Sequence, residues 1–205
     1  MGFYSQVIVP WFLDWTLDRQ VLNHHRRELL SEAKGEVLEI GFGTGLNLSY
    51  YPPEVQKITA VDPNPGMSSR ARKRIRASRV RVENYLMNAE SLPMADNSFD
   101  TVVSTMTLCS IPHLRRALGE LYRVLKPGGQ FLFLEHGRSA DPKVQVWQDR
   151  LTPISKALGD GCRLNRDIRQ FIGEQPFVTV ALRNFYLEDS PKFAGYMYQG
   201  AAQKS

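Results

Sequence analysis

Three glycines on alternate positions, Gly41, Gly43 and Gly45, follow a short apolar run that begins at Val37. The apolar run predicts a buried strand, and the residues from Leu46 onward predict the start of a helix. Glycine lacks a Cβ, so a turn built from it can pass very close to a bound molecule. The strand, the turn and the helix N-terminus together predict a place where backbone approaches a ligand.

The glycine spacing distinguishes between kinds of nucleotide site. A dinucleotide fingerprint needs G-x-G-x-x-G, and here position 46 is Leu. A Walker loop needs a Lys after its last glycine, and none follows Gly45. On its own, the loop is still compatible with another nucleotide site or with a structural turn.

An acid stands where a second strand is predicted to end. The β-rich run 58–62 closes on Asp62, and the helix breakers Pro63 and Pro65 follow it. An acid at this place can accept hydrogen bonds from both hydroxyls of a ribose. The alternative is a helix cap or turn residue. Paired with the glycine loop, ribose binding is the favoured interpretation of Asp62.

Composition indicates a single globular domain covering residues 1–205, with 42% hydrophobic and 23% charged residues. The two cysteines, Cys109 and Cys162, lack the spacing of a metal site, so no metal is predicted. The apolar run from Val7 to Leu13 contains Pro10 and is far too short to span a bilayer. We expect a cytoplasmic protein, in contact with a membrane at most peripherally.

The net charge of +5 arises largely from one segment. A basic run can bind nucleic acid or anionic lipid, but it is more often the solvated face of a helix. No aromatic residues alternate with the arginines, so we expect no nucleic-acid partner. The basic residues are Arg70, Arg72, Lys73, Arg74, Arg76, Arg79 and Arg81.

Strands and helices alternate from residue 36 onward. This rhythm predicts an α/β fold with three layers, a doubly wound and mainly parallel sheet that ends in an antiparallel hairpin. Strands are predicted at 36–40, 57–62, 80–86, 99–104, 130–135, Phe177–Leu187 and Phe193–Gln199. Helices are predicted at 45–50, 66–77, 113–125 and over most of 140–172.

The first 34 residues show apolar residues at helical spacing, with Trp11, Phe12 and Trp15 among them. We interpret 1–34 as a helical lid over the predicted site. A docking helix and a membrane-surface segment are the alternatives.

The motif Glu39-x-Gly41-x-Gly43-x-Gly45 resembles the first motif of class I S-adenosylmethionine (SAM) methyltransferases. Further stretches are similar to the ubiquinone/menaquinone C-methyltransferase group, and the match covers about residues 36–136. They are Asn88-Ala89-Glu90-Ser91-Leu92-Pro93, Asn97-Ser98-Phe99-Asp100 and Leu125-Lys126-Pro127-Gly128-Gly129.

A narrower resemblance is to the methyltransferase-like 7 family of thiol S-methyltransferases and its bacterial relatives. Three stretches carry it: Leu108-Cys109-Ser110-Ile111, Leu134-Glu135-His136, and Gly159-Asp160-Gly161-Cys162-x-Leu164-Asn165-Arg166. Animal members carry an N-terminal membrane anchor, which is not carried over to this chain. Bacterial phospholipid N-methyltransferases also resemble the core, so the acceptor is less secure than the reaction.

The resemblance implies SAM as the cofactor and S-adenosylhomocysteine as the product. It places Glu39 near the methionine ammonium and Asn88 at the adenine amino group, where Asp is usual. The predicted cofactor residues are Glu39, Gly41, Gly43, Gly45, Asn47, Asp62, Pro63, Asn64, Asn88, Ala89 and Thr105.

The methyl acceptor is predicted to be a small molecule, with a thiol as the best choice. A free thiol has a pKa of roughly 8.5, so a base or a positive field helps to form the thiolate. His136 is the leading base candidate, and the alternative is a histidine bonded to a nearby loop. Cys162 and Asp160 are the other catalytic candidates, on a helical acceptor-side segment at 137–175. Cys109 is expected to pack as a small buried hydrophobe.

Three other functions stay open at this point. One is a phospholipid or quinone-precursor methyltransferase at the membrane surface. Another is a SAM-binding accessory protein without acceptor chemistry. The weakest is an RNA methyltransferase, which rests only on the net charge.

Overall fold

A seven-stranded sheet forms the centre of the protein. The computed structural model describes residues 17–18 and 20–205, without the side chains at 67, 68, 179 and 180. The strands are β1 (Val37–Ile40), β2 (Lys57–Val61), β3 (Arg81–Tyr85), β4 (Phe99–Thr105), β5 (Leu125–His136), β6 (Phe177–Tyr186) and β7 (Tyr196–Lys204). Their order in the sheet is β3-β2-β1-β4-β5-β7-β6.

The first five strands are parallel, whereas β7 runs antiparallel to both β5 and β6. After β1 the chain forms β2 and β3 on one side of β1. It then crosses back and forms β4 and β5 on the other side. The point where the order reverses lies between β1 and β4, and ligands of such sheets bind outside the carboxyl ends of the strands there. The predicted parallel sheet with an antiparallel C-terminal hairpin is confirmed.

Helices cover both faces of the sheet. They are α1 (Gln20–Leu30), α2 (Pro65–Ala77), α3 (Leu114–Val124), α4 (Pro142–Leu158), α5 (Ile168–Gly173) and the single turn α6 (Lys192–Gly195). A short 3-10 helix spans Leu46–Ser49.

Alternate residues of each central strand point to opposite faces, and this divides the core in two. Phe131 and Phe133 of β5 pack with residues of α3 and α5. Leu132 and Leu134 of the same strand pack with residues of α1 and α2. Strands apolar on both sides are typical of a parallel sheet buried between helices, so the three-layer prediction is confirmed.

Four predicted elements differ in detail from the observed ones. The strand predicted at Phe193–Gln199 begins only at Tyr196, because Lys192–Gly195 form the helical turn α6, and it continues to Lys204. The helix predicted at 45–50 is a four-residue 3-10 helix, too short to be more than one turn. Strand β5 begins at Leu125, because the residues before Gln130 pair with β4 across an irregularity at Phe99 and Thr101. The region predicted as mostly helical, 140–172, is interrupted by a loop at 159–167. That loop carries Asp160 and Cys162.

The N-terminal region is described only in part. The predicted lid residues Trp11, Phe12 and Trp15 lie outside the described residues. Helix α1 packs on the sheet with Leu22, Leu29 and Leu30 buried, which is the contact expected of a docking helix. The lid function of 1–34 stays a prediction.

None of the helices in the described part of the chain is both long enough and apolar enough to cross a membrane.

Replacing Leu121 by Ala tests the core between α3 and the sheet. Leu121 is fully buried, so we expect a loss of about 2–5 kcal/mol in the free energy of unfolding from the lost contacts and the cavity. Urea unfolding measures it as a lower midpoint with an unchanged slope. Leu86 is 59% exposed, so Leu86→Ala is the control and should change stability by less than about 0.5 kcal/mol. Equal losses in the two variants would contradict this packing.

Candidate active site

The glycine loop turns directly after β1. Gly41, Gly43 and Gly45 have φ angles of 63°, 59° and 80°, in the left-handed region that glycine adopts without strain. A Cβ at Gly41 would collide with the side chain of Thr107 at 2.0 Å. At Gly43, by contrast, a Cβ would meet nothing nearer than a backbone oxygen at 3.8 Å. The backbone at Gly43 therefore borders open space, as the close-approach prediction requires.

Glu39, on β1, holds the residues that follow the loop. Its carboxylate accepts hydrogen bonds from Asn47 Nδ2 at 2.9 Å and from the Tyr51 hydroxyl at 2.7 Å. Asn47 Nδ2 also donates to Thr105 Oγ1 on β4 at 3.0 Å. Three predicted cofactor residues, Glu39, Asn47 and Thr105, thus form one buried network beside the loop.

This network contains a polar atom without a protein partner. Asn47 Oδ1 is buried, and no described residue donates to it. Burial raises the pKa of Glu39 to about 7, against the lowering effect of the Tyr51 and Asn47 hydrogen bonds and of Arg26. A buried acceptor and a carboxylate whose charge is costly would both be stabilised by a positively charged ligand.

Asp62 follows β2 and faces the loop. One of its carboxylate oxygens accepts from the backbone N–H of Gly43 at 2.8 Å, and the other accepts from the N–H of Asn64 at 2.8 Å. Burial raises the pKa of Asp62, while these two hydrogen bonds lower it. Asp62 is thus placed beside the glycines, as predicted from its separation from Gly41. Both oxygens retain lone pairs that a ribose hydroxyl can use.

Asn64 joins the cofactor side to the loop at 159–167. Its Oδ1 caps α2 by accepting from Gly66 N–H at 2.9 Å, and its Nδ2 donates to Asp160 Oδ2 at 3.3 Å. Asp160 is exposed and has a φ of 51°, an uncommon backbone conformation for a residue other than glycine. Asp160, which is predicted as a catalytic residue on the acceptor side, therefore lies close to Asp62 and Asn64 on the cofactor side.

The remaining predicted cofactor residues are Pro63, Asn88 and Ala89. Asn88 is exposed, and its Oδ1 accepts from Glu90 N–H at 3.0 Å, which forms a local turn. Ala89 is buried and Pro63 is exposed. In the described structure Asn88 has no hydrogen bond to the glycine loop, and its role at the adenine stays a prediction.

Glu135 on β5 anchors the loop that follows β4. Its carboxylate accepts from Ser104 Oγ at 2.7 Å, from Thr107 N–H at 2.8 Å and from Leu108 N–H at 3.0 Å. Met106, inside this loop, has a φ of 55°. Strained backbone of this kind often marks a functional segment held by its surroundings. The anchored loop presents Cys109.

His136 ends β5 and meets both cysteines. Its Nε2 lies 3.1 Å from Cys162 Sγ, and the side-chain atoms of Cys109, His136 and Cys162 all lie within 4.8 Å of one another. His136 is 5% exposed, and its Nδ1 has no hydrogen-bond partner among the described residues. Cys109 is buried, as predicted, but in contact with polar groups rather than only with apolar ones.

Arg166 stabilises this cluster. Its guanidinium donates to the carbonyl oxygens of Leu108 and Ile111, which flank Cys109. The backbone N–H of Arg163 donates to the carbonyl of Cys109 at 3.1 Å. The loop at 159–167 is thus bonded to the loop after β4, and the positive charge of Arg166 is held beside the cysteines.

Two open grooves lie on the surface. One, of about 610 Å³, lies between α1 and β6 and is lined by residues that include His25 and Phe185. The other, of about 290 Å³, lies between α4 and α6 and is lined in part by Trp147 and Phe193. None of the predicted site residues lines either groove.

Sequence reasoning missed two contacts. Tyr51 binds Glu39, and Thr107 fills the space beside Gly41. Neither is visible as a pattern, because each joins segments that are adjacent only in the folded chain. The available signal in the sequence is Glu39 on a predicted core strand, because a buried carboxylate needs hydrogen-bond donors nearby.

The sheet order, the glycine loop and Asp62 together define a nucleotide site of the class I methyltransferase type. The residues present fit SAM, because Asn47 Oδ1 is a buried acceptor with no donor among the described residues and the backbone at Gly43 borders open space. Comparison with known proteins agrees. Residues 38–133 match the family described as a methyltransferase domain.

The human (Homo sapiens) thiol S-methyltransferase TMT1A is 33% identical over 201 residues, which cover 90% of this chain and 82% of that protein. The ubiquinone/menaquinone biosynthesis C-methyltransferase UbiE of Brucella canis is 35% identical over 158 residues, 70% of this chain and 58% of that protein. The solved structure of N-methyltransferase NodS from Bradyrhizobium japonicum, in complex with S-adenosyl-L-homocysteine, superposes with a TM-score of 0.71 at 17% identity. That superposition covers 98% of this chain and 94% of NodS.

The chain belongs to the family of SAM-dependent methyltransferases that includes these relatives. Both resemblances found in the sequence are confirmed, and the protein is an enzyme that uses SAM and acts on a small molecule.

Gly43→Ala tests the cofactor loop. A Cβ there enters the open space beside the loop, so we expect SAM affinity to fall at least tenfold in isothermal titration calorimetry. Gly128→Ala is a matched control, because Gly128 also has a positive φ (75°) and nothing lies within 4 Å of its added Cβ. Each variant bears a similar backbone strain of about 1–2 kcal/mol. Equal SAM affinity in the two variants would contradict the assignment.

Glu39→Gln tests the cost of the buried charge. Below pH 4.5 the Glu39 carboxyl is protonated in both the folded and the unfolded protein, while above its folded pKa of about 7 the core must hold a carboxylate. Without SAM, the wild type should therefore lose about 3 kcal/mol of stability relative to Glu39→Gln as the pH rises from 4.5 to 7. Urea unfolding across this range measures the difference.

The exposed surface variant Glu54→Gln controls for the change in net charge. If the stability difference between Glu39→Gln and the wild type were the same at pH 4.5 and pH 7, the buried-charge account would be wrong.

Proposed function

We propose that the enzyme transfers the methyl group of SAM to the sulfur of a small thiol. The observation that carries this is the buried cluster of His136, Cys109 and Cys162 with Arg166 beside it, at the carboxyl end of β5. The relative named for thiol S-methylation, at 33% identity, supports the same acceptor.

The reaction is an in-line displacement. SAM supplies a methyl group on a positively charged sulfonium. The acceptor sulfur forms a bond to the methyl carbon as the bond from the sulfonium breaks, and the thiol proton leaves to solvent. The protein's part is to align the two sulfur atoms, exclude water and favour the thiolate.

Residues of the cofactor side have distinct parts in this proposal. Asn47 Oδ1, buried and without a protein donor, accepts from the ammonium of the methionine part, and Glu39 supplies the compensating negative charge. Asp62 accepts from the ribose hydroxyls, and the backbone at Gly41, Gly43 and Gly45 passes beside the cofactor. Pro63, Asn64, Asn88 and Ala89 complete the nucleotide side.

On the acceptor side, His136 and Arg166 favour the thiolate. Arg166 supplies a fixed positive charge close to the cysteines. The Nε2 of His136 already contacts Cys162, so its action as a base on the acceptor requires that contact to open. The hydrogen bond of the Cys162 thiol to Cys109, together with burial, raises the pKa of Cys162 well above its usual range. In the absence of a metal ion, Cys162 is therefore a neutral thiol rather than a nucleophile.

Asp160 connects the two sides through its contact with Asn64. It lies on the loop at 159–167, which also holds Cys162. The hydrogen bond between Asn64 and Asp160 thus links the cofactor side to the acceptor loop. We assign Asp160 a positioning role.

A membrane-surface acceptor is the second candidate. Trp147 and Ile154 of α4 are each 56% exposed and lie seven residues apart, on one face of the helix. A phospholipid or quinone-precursor substrate would place this face at the membrane. An accessory protein without acceptor chemistry is the third candidate.

A SAM-dependent turnover assay separates the three candidates. The acceptors are an alkyl thiol, hydrogen sulfide, phosphatidylethanolamine vesicles, a demethylquinone and bulk RNA, with S-adenosylhomocysteine measured as the product. We expect turnover with the thiols alone. Turnover only with vesicles or the quinone would overturn the thiol proposal, and SAM binding without turnover of any acceptor would favour the accessory role.

His136→Ala tests the acceptor side. We expect thiol turnover to fall at least about 100-fold, because a group that handles the acceptor proton contributes on that scale. SAM affinity should stay within about threefold, since none of the contacts of His136 reaches Glu39, Asn47 or Asp62. His113→Ala changes an exposed histidine and is the control. Unchanged turnover in His136→Ala would contradict the role of His136.

A further inference from the structure

The two cysteines of the chain converge on one histidine. Cys109 lies in the loop after β4, His136 ends β5, and Cys162 lies in the loop between α4 and α5. Their three side-chain donor atoms lie within 4.8 Å of one another, and His136 Nε2 is 3.1 Å from Cys162 Sγ. Cys109 and His136 are 3% and 5% exposed, and Cys162 is half-buried. Two thiols and an imidazole are thus held together at a largely enclosed place.

The positions of these side chains are set by the surrounding structure. The loop that carries Cys109 is fixed by Glu135 through the backbone N–H groups of Thr107 and Leu108. The loop that carries Cys162 is fixed to it by the bond from Arg163 N–H to the carbonyl of Cys109. Because backbone hydrogen bonds fix both loops and His136 lies at the end of β5, the arrangement is preformed.

The donor set selects a class of metal ion. Thiolate and imidazole ligands suit zinc and other soft or borderline ions, whereas magnesium and calcium require oxygen ligands. Both oxygens of the nearby Glu135 already accept hydrogen bonds from Ser104, Thr107 and Leu108. The guanidinium of Arg166 donates to the carbonyl oxygens of Leu108 and Ile111, which helps to fix the loop that carries Cys109.

We propose that Cys109, His136 and Cys162 bind a zinc ion through their Sγ, Nε2 and Sγ atoms. In a tetrahedral zinc site, the distances of about 2.3 Å to sulfur and 2.0 Å to nitrogen separate neighbouring ligand atoms by roughly 3.5–3.8 Å. The 3.1 Å distance between His136 Nε2 and Cys162 Sγ is shorter than this range, and the 4.8 Å limit on the separations of the three ligand atoms is longer. Side-chain movements of about 1 Å therefore bring the three atoms to zinc-binding distances. Each cysteine gives its proton to solvent on binding. This departs from the sequence-based expectation of no metal.

Three protein ligands leave a fourth zinc position open, as in catalytic zinc sites. On the thiol-methyltransferase function proposed above, the acceptor thiol occupies that position. Its S–H bond breaks, the proton leaves to solvent, and the sulfur binds zinc as a thiolate that then receives the methyl group. In this arrangement His136 is a ligand of the zinc ion, and the zinc ion stabilises the acceptor thiolate.

Cobalt substitution tests the site without any need for turnover. The full-length protein is purified, stripped with a chelator under reducing conditions, and titrated with Co²⁺ in the absence of acceptor. We expect one equivalent to bind, with a thiolate-to-cobalt charge-transfer band and the intense visible absorption of tetrahedral cobalt, both displaced by Zn²⁺. Since the chain has only two cysteines, the charge-transfer band reports on Cys109 and Cys162.

Variants locate the ligands. Cys109→Ser, Cys162→Ser and His136→Ala should each weaken Co²⁺ binding at least tenfold, while His113→Ala, at an exposed histidine, should leave it unchanged. Circular dichroism and SAM binding establish that each variant is folded. A wild-type protein that is folded and reduced, binds SAM, and shows no charge-transfer band at saturating Co²⁺ would overturn the proposal. So would a purified protein in which the two cysteines form a disulfide that persists under the reducing conditions.

Turnover of the stripped protein tests the fourth ligand separately. We expect thiol methylation to fall at least tenfold on metal removal and to return with Zn²⁺. Full thiol turnover without metal would overturn the coordination of the acceptor, while the thiol function itself would stand. Metal binding with no thiol turnover would overturn the function and leave the zinc site intact.

Discussion

Buried carboxylates at the strand ends hold the loops of this protein in place. A loop at the carboxyl edge of a parallel sheet has backbone N–H groups that no neighbouring strand satisfies, so each needs an acceptor. Asp62 accepts from the glycine loop, Glu135 accepts from the loop after β4, and Glu39 holds Asn47 and Tyr51. Asp62 and Glu135 each hold a loop that follows a neighbouring strand. Glu39 lies on β1, directly before the loop whose following residues it holds. The geometry of the site therefore depends on the packing of the sheet.

The burial of these carboxylates has an energetic consequence. The pKa of Glu39 rises to about 7 because a charge in the core is poorly solvated. A ligand that brings positive charge to this place relieves that cost, and SAM carries both an ammonium and a sulfonium. The raised pKa predicts that, where Glu39 is ionised, the protein without ligand is less stable than a variant with a neutral residue at this position.

Much of the cofactor side could be predicted from the sequence, because its signals are local. The alternate glycines follow their strand directly, and Asp62 ends the next strand at a separation set by one crossover. The alternation of strands and helices is also a local pattern, so the parallel sheet could be predicted from it. The 3-10 helix at Leu46–Ser49 was predicted as a longer helix, since a four-residue element shows no periodicity of its own. The cluster of Cys109, His136 and Cys162 has no local signal at all, because three separate elements bring it together.

Methylation of a thiol sulfur is the function that we propose for this enzyme. The most direct measurement uses SAM with a deuterium-labelled methyl group, incubated with an alkyl thiol and the enzyme, and mass spectrometry of all products. We expect a labelled methyl thioether and S-adenosylhomocysteine to form in equal amounts. The corresponding alcohol should give no labelled product. Formation of S-adenosylhomocysteine without the thioether, or label found only on a lipid or a quinone, would contradict it.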